Sequence, residues 1–408
     1  MNLLNLNLPR CHFHTLIELA KSGHNVYTNW TGDHKYEDSL GINPLTEEEN
    51  ILVNQKGAPI ELPKNPDFIK DLIDKYNIDI LQVSIPNLSY LHTHFKDNVK
   101  YIGPPEEVSK LETDKLYAKE IAKELNIKVP SIIKHGKYLE DDYCRALSFP
   151  CVEKPSHHWS PATVINNKEE AKKLRSQAEN REWPRYINSD YYVEEYLHDM
   201  IETNVFFAIS NGKYAITHTQ EIIGEGKNKT VIPSVWYFNT YIKPLSPYID
   251  KIVRQEAEKY LEHIAKMGGS WEGSFCGAYT SKGEWYFLEI NVRPDIFNST
   301  PIFMTGDEYL KGMFEDVSLF EKAWQDKNCQ KLLIISNEGN EYPIHLHDKY
   351  NVSYPNNLVI KDNKYYISNY GVMHIRDRGT VVADHNISED FIKEVEETTS
   401  WKFNEEPK

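Results

Sequence analysis

Between Trp285 and Asp295 the sequence reads Trp-Tyr-Phe-Leu-Glu-Ile-Asn-Val-Arg-Pro-Asp, with Glu289, Asn291 and Arg293 at alternate positions. Side chains of a β-strand alternate between faces, so these three share one surface while Tyr286, Leu288, Ile290 and Val292 share the other, a core face. A carboxylate and an amide oxygen two residues apart, about 7 Å along a strand, suit a hard cation of the Mg2+ kind that keeps substrate phosphates in its shell. Arg293 adds a planar charge matched to an anionic oxygen. The same spacing also describes a half-exposed edge strand whose polar face is merely wet, so other stretches must decide.

The chain has 408 residues, enough for more than one domain and for sizeable cores. Its 26% charged and 12% aromatic residues describe an ordinary globular protein. A formal charge of −15 argues against a general nucleic-acid or anionic-membrane binder, because phosphate surfaces reward excess Lys and Arg. Any phosphate bound here must meet locally gathered positive charge. Cys11, Cys144, Cys151, Cys276 and Cys329 are scattered and form no C-x-x-C pair, which suits reduced thiols acting as small packing residues. The N-terminus lacks a basic region and an unbroken apolar run, and no stretch approaches a membrane span, so the expectation is a cytoplasmic protein.

The elements that must position the chemistry follow from local pattern. Residues 3–8 read as a strand, 13–21 as a helix closed by Gly23, 26–30 as a strand, 66–76 as a helix and 78–84 as a buried strand. That order predicts a small doubly wound α/β domain over 1–104. Its first turn has no glycine-rich dinucleotide loop; Arg10 and His12, with His14, stand where a substrate group could bind, or simply cap a polar loop. Residues 106–125 have helical spacing and carry Lys115 and Lys119. Strands are expected at 130–133, 149–155 and 191–197, and a meander at 203–218 turning on Asn211-Gly212. Residues 224–230 read as a glycine-punctuated lid or an ordinary surface loop. A helix over 249–267 precedes a hairpin of 273–279 with 285–292, and 319–324 closes the unit. After Cys329 come short strands and a final helix near 390–398, expected as a small β-rich domain over 329–408.

Four separated stretches together resemble the ATP-grasp superfamily of carboxylate-amine ligases, and within it the glycinamide ribonucleotide synthetase (phosphoribosylamine-glycine ligase) family. Ile102-Gly103-Pro104 with Leu111-Glu112-Thr113-Asp114-Lys115 and Ala118-Lys119 is similar to an I-G-P and L-E-x-x-K-x-x-A-K segment. Val152-Glu153-Lys154 resembles the second lysine strand, and Val193-Glu194-Glu195-Tyr196-Leu197 with Glu202 the nucleotide hinge. Phe275-Cys276-Gly277-Ala278 and Leu288-Glu289-Ile290-Asn291-Val292-Arg293 resemble the metal strand pair. The likeness spans roughly 100–325, implying an ATP-grasp unit over 105–328 with a nucleotide-binding lobe at about 131–200, in a chain of mixed α/β and α+β class.

The resemblance implies two lobes closing on ATP, with Lys115 and Lys154 on its phosphates. Glu194 belongs to the nucleotide hinge; adenine meets backbone near Glu195, Tyr196 and Leu197, and Glu202 takes the ribose hydroxyls. Glu289 and Asn291 hold Mg2+, for which Mn2+ can substitute; Arg293 and Lys154 act on the transferring phosphoryl group. The implied reaction phosphorylates a small carboxylic acid and passes the acyl group to an amine, leaving ADP and phosphate. No nucleic acid or membrane partner is expected, and a homodimer is the default assembly.

The chain also departs from that pattern. The glycine-rich phosphate flap is replaced by 156–162, where His157 and His158 either contact phosphate or lie on the surface. The first-domain G-G-R-E-H loop and the glycine-rich segment after the meander are absent, and Asp295, a candidate substrate contact, opens a divergent ending. These losses point to an acid and amine other than the purine-pathway pair. The alternatives are a catalytically silent ATP-binding regulatory or scaffold protein, or a kinase that stops at phosphoryl transfer.

Overall fold

The computed structural model describes residues 1–6, 13–29, 42–46, 49, 66–137, 144–145, 147–156, 162–179, 190–224, 240–294, 304–327 and four short strands after 330. Five parallel strands form the first sheet, in the order Ile42–Pro44, Asn25–Thr28, Asn2–Leu6, Ile80–Val83, Lys100–Ile102. Parallel sheets are covered on both faces, which explains the near-continuous apolar runs. Leu3, Val26 and Ile80 pack one way against the helices Phe13–Lys21 and Gly306–Phe314. Leu4, Leu6, Leu81 and Val83 pack the other way against Asp67–Tyr76. The helix Gly306–Phe314, with its Thr305–Glu308 capping box, comes from far along the chain and was not visible in the sequence pattern.

The second sheet is antiparallel, in the order Trp285–Asn291, Ser270–Thr280, Met200–Ser210, Lys213–Gly224, Thr240–Pro244, Lys331–Ile335, Thr380–Asp384. The helix Pro247–Ala265 starts with Ser246 capping Ile249 N–H and a proline in its first turn. It buries Val253, Ala257, Tyr260, Leu261 and Ile264 against Phe207, Phe275 and Phe287. The third sheet, four antiparallel strands ordered Ile132–Lys137, Asp190–Glu195, Cys151–Pro155, Thr163–Ile165, is backed by the helix Lys168–Glu179. Among the described residues no helix is long and apolar enough to cross a membrane.

Three differences from the sequence expectations have physical causes. The helical stretch 106–125 is two helices, Glu106–Thr113 and Lys115–Glu124, because Asp114 leaves helical geometry and its carboxylate accepts from Tyr117 N–H. The segment expected as a separate C-terminal domain instead lends Lys331–Ile335 and Thr380–Asp384 to the second sheet, satisfying the edge of Thr240–Pro244.

The third difference lies in the 285–291 strand. Its pairing shifts so that Cys276 faces Glu289 while Gly277 faces Phe287, leaving Leu288 as an extra residue. The core side is therefore Trp285 and Phe287 before the bulge and Ile290 and Val292 after it; Tyr286 and Leu288 are not in that core. Gly277 is required because a Cβ there would lie 2.3 Å from the Trp285 ring, whose Nε1 donates to Thr203 Oγ1 at 2.8 Å.

Candidate active site

The split at Asp114 makes Lys115 the first residue of its helix and puts Lys119 one turn on, on the same face. That helix and the one before it pack on the 285–291 strand. Lys115 N–H donates to the Ser156 carbonyl at 3.1 Å, joining the helix start to the lobe that carries Lys154.

Three charge clusters result. Lys115 Nζ lies 3.1 Å from Glu289 Oε2. Glu194 places one carboxylate oxygen 3.0 Å from Lys154 Nζ and the other 2.9 Å from Lys119 Nζ, with all three side chains buried. Glu112, also buried, accepts from Arg293 Nε and from Val292 N–H, each at 2.8 Å. Arg293 Nη2 donates to Asn291 Oδ1 at 3.3 Å, and Asn291 Nδ2 lies 3.2 Å from Ser274 Oγ and 3.7 Å from Cys276 Sγ. Four cations thus stand against three carboxylates in a strongly acidic chain, the local positive charge that a polyphosphate needs.

The ionisation states follow from these contacts. Burial works against the Glu289 charge, but Lys115 and Lys154 outweigh it and hold the carboxyl at about 2. Burial likewise opposes ionisation of Glu194, and Lys119 and Lys154 lower it overall. For Lys154 the burial penalty is overcome by Glu194 and Glu289, and its value is raised. Burial prevails at Lys119, pushed down to about 8 against the pull of Glu194. It prevails also at Glu112, raised in spite of Arg293.

Lys115, Lys154, Glu194, Glu289, Asn291 and Arg293, singled out from sequence, are therefore brought together. Glu194 turns its carboxylate inward onto two lysines, so its part is to hold them. Glu195 closes the strand end onto the preceding loop, its carboxylate accepting from Ser131 N–H at 2.9 Å. Tyr196 and Leu197 follow half-buried, and Glu202 is half-buried early in the strand Met200–Ser210. Arg10, His12, His157, His158, Asp295 and residues 225–239 lie outside the described residues.

Sequence reasoning missed Glu112 and Lys119 as site residues, although their spacing with Lys115 was a signal: positions 112, 115 and 119 repeat at one helical face. It also took Cys276 for packing; the structure pairs it across strands with Glu289 on the site side.

The donor set suits a divalent ion carrying phosphate. A carboxylate kept ionised stands two residues from an amide oxygen, with lysine ammoniums nearby and no soft ligand cluster among the described residues. Glu289 and Asn291 could hold Mg2+, and Lys115 and Lys154 could meet nucleotide phosphates.

No protein-family model and no curated protein matches the sequence. Solved structures do match in shape. An L-amino acid ligase from Bacillus licheniformis superposes with a TM-score of 0.66 at 12% identity, covering 97% of each chain. The biotin carboxylase domain of 2-oxoglutarate carboxylase from Hydrogenobacter thermophilus, solved with MgADP and bicarbonate, gives 0.63 at 14% identity, over 97% of this chain and 89% of that one. Phosphoribosylamine-glycine ligase from Thermotoga maritima gives 0.58 at 15% identity, over 97% and 96%. The chain has the ATP-grasp fold that these proteins share.

Proposed function

We propose that this chain is an ATP-dependent carboxylate-amine ligase that joins a small acid and an amine through an acyl phosphate. The observation that carries the reading is the convergence of Lys115, Lys154, Glu289, Asn291 and Arg293, held by Glu194 and Glu112 from different elements of the fold.

The residues divide the work by position and charge, as phosphoryl transfer requires. Lys154, pinned by Glu194, presents a fixed ammonium to a phosphate oxygen, and Lys115 moves its charge from Glu289 onto phosphate. Glu289 and Asn291 would hold Mg2+, which would supply positive charge to offset that of the nucleotide phosphates. Arg293, aimed by Glu112, steadies the oxygens around the transferred phosphorus. A carboxylate oxygen of the acid attacks that phosphorus and the bond to ADP breaks. The amine then attacks the activated carbonyl carbon, phosphate leaves with the bonding pair, and the nitrogen loses a proton. Glu195, Tyr196, Leu197 and Glu202 are proposed to take the base and ribose, on family resemblance. The acid and amine are small molecules, and the purine-pathway pair is disfavoured by the departures in the sequence.

The test is incubation of purified protein with ATP, Mg2+ and pools of small acids and amines, following ADP and phosphate. ADP release that needs both an acid and an amine supports the ligase. ADP with a stable phosphorylated acid makes the protein a kinase, and nucleotide binding without ADP in every pool makes it a silent binder.

A further inference from the structure

We infer that Lys119 is a positioning residue of the phosphate site: it shares the Glu194 carboxylate with Lys154, so that the Lys154 ammonium is anchored and the trio still carries positive charge for phosphate. The inference rests on the reading that nucleotide phosphate meets Lys154, and it gives a part to a buried lysine that the proposed mechanism leaves unused. On the third sheet Lys154 stands directly across from Tyr192, and Glu194 follows two residues along on the same face. The helix Lys115–Glu124 lays Lys119 over that face, its Nζ 2.9 Å from Glu194 Oε2 and 5.9 Å from the centre of the Tyr192 ring. Lys154 Nζ takes the other carboxylate oxygen at 3.0 Å.

The balance of charge turns on this sharing. Lys115 pairs with Glu289 and Arg293 with Glu112, whereas Lys119 pairs with a carboxylate that Lys154 already uses. Two ammoniums on one carboxylate leave positive charge over. Without Lys119, Lys154 and Glu194 would form a neutral pair, and a phosphate oxygen reaching Lys154 would meet the repulsion of a carboxylate 3.0 Å from the ammonium. Burial sharpens the difference, because Lys119, Lys154 and Glu194 are at most 4% exposed and water screens them little.

An unanchored Lys154 would serve less well. An ammonium on a flexible stem samples many rotamers unless an anion fixes it, and ordering it at the moment of binding costs entropy. Glu194 supplies the anchor, and Lys119 offsets the negative charge that the anchor brings. Lys119 is the more deeply buried of the two lysines, and its ammonium stands over an aromatic face, a seat that suits a cation which stays in place. Lys115, one turn earlier on the helix, has the more exposed side chain and pairs with Glu289 instead.

The experiment measures MgATP affinity of the full chain by calorimetry in the wild type, in Lys119→Met and in the double variant Lys119→Met/Glu194→Gln, with circular dichroism and urea unfolding to show that each is folded. Lys119→Met leaves Lys154 and Glu194 as a neutral pair and should weaken MgATP by about tenfold or more. The double variant removes the two opposing charges together while an amide oxygen still anchors Lys154, so affinity should return to within about threefold of the wild type. A lysine that only filled space would leave the double variant no better than the single one. Equal affinity in the wild type and Lys119→Met overturns the inference, and so does a double variant as weak as the single. Should Lys119→Met not fold, the double variant decides by itself: affinity within about threefold of the wild type supports the inference, and a loss of about tenfold overturns it. No MgATP binding by the wild type removes the nucleotide reading and the inference with it, whereas wild-type binding that Lys119→Met shares unchanged removes the inference alone.

Discussion

The carboxylate of Glu194 lies 3.0 Å from the Lys154 ammonium, and both side chains are closed off from solvent. Because Glu194 also holds Lys119, its charge is the common counterion of two buried lysines. Glu194→Gln removes that charge and keeps the volume, leaving two ammoniums without their shared carboxylate; the expected loss is about 3–5 kcal/mol of stability. Urea unfolding of the variant measures it. A loss near zero would mean that the lysines find other partners and that Glu194 does not anchor them.

Arg293 is aimed by Glu112 through a buried contact that also fixes Val292 N–H. In Glu112→Gln the guanidinium keeps its charge and loses its anchor. Turnover should fall on the order of 100-fold, the scale of a misplaced catalytic group, with KM for ATP changed far less. Steady-state kinetics with the assigned acid separates the two, and an unchanged kcat would remove Arg293 from the chemistry.

Glu289 is the metal carboxylate in this reading. Glu289→Ala should leave far-UV circular dichroism intact and lower Mg2+-dependent turnover by more than about 100-fold, since an electrostatic contact to the transferring phosphoryl is lost. EDTA added to the wild-type enzyme should reproduce the loss, and excess Mg2+ or Mn2+ should restore the wild type only.

The same residue sets an acid limit on stability. Its folded value of about 2 lies below the ordinary 4.5, so its stabilisation is complete above pH 4.5 and is lost as pH falls toward 2. Glu194, also lowered, adds in the same direction. Thermal unfolding followed from pH 5 to pH 2 should show a shallower decline in Glu289→Gln than in the wild type; parallel curves would contradict the assignment.

Gly277 makes room for the Trp285 ring. Gly277→Ala should destabilise the hairpin by about 1–3 kcal/mol through overpacking, and Gly277→Val by more. Chemical denaturation gives the values, and a neutral Ala variant would show that the indole is free to shift.

Much of this site was legible in the sequence because its residues recur at element periods. Lys115 opens a helix of regular apolar spacing, and Glu289 and Asn291 alternate along a strand with Arg293 two residues beyond. What escaped depended on contacts between distant segments. The extra residue at Leu288 shows only in the pairing with the strand that carries Cys276 and Gly277, so alternation alone assigned Tyr286 and Leu288 to the wrong side. Glu112 looked like part of one continuous helix, and its partner Arg293 is 181 positions away. The helix Gly306–Phe314 packs on a sheet built by the first hundred residues, a pairing no local pattern encodes.

The bond from Lys115 N–H to the Ser156 carbonyl and the contact of Lys119 with Glu194 both bridge the same gap, from the helix Lys115–Glu124 to the four-stranded sheet. Swinging that sheet outward would draw the Lys119 ammonium away from the Glu194 carboxylate in a place water barely reaches, an interaction that added salt screens poorly.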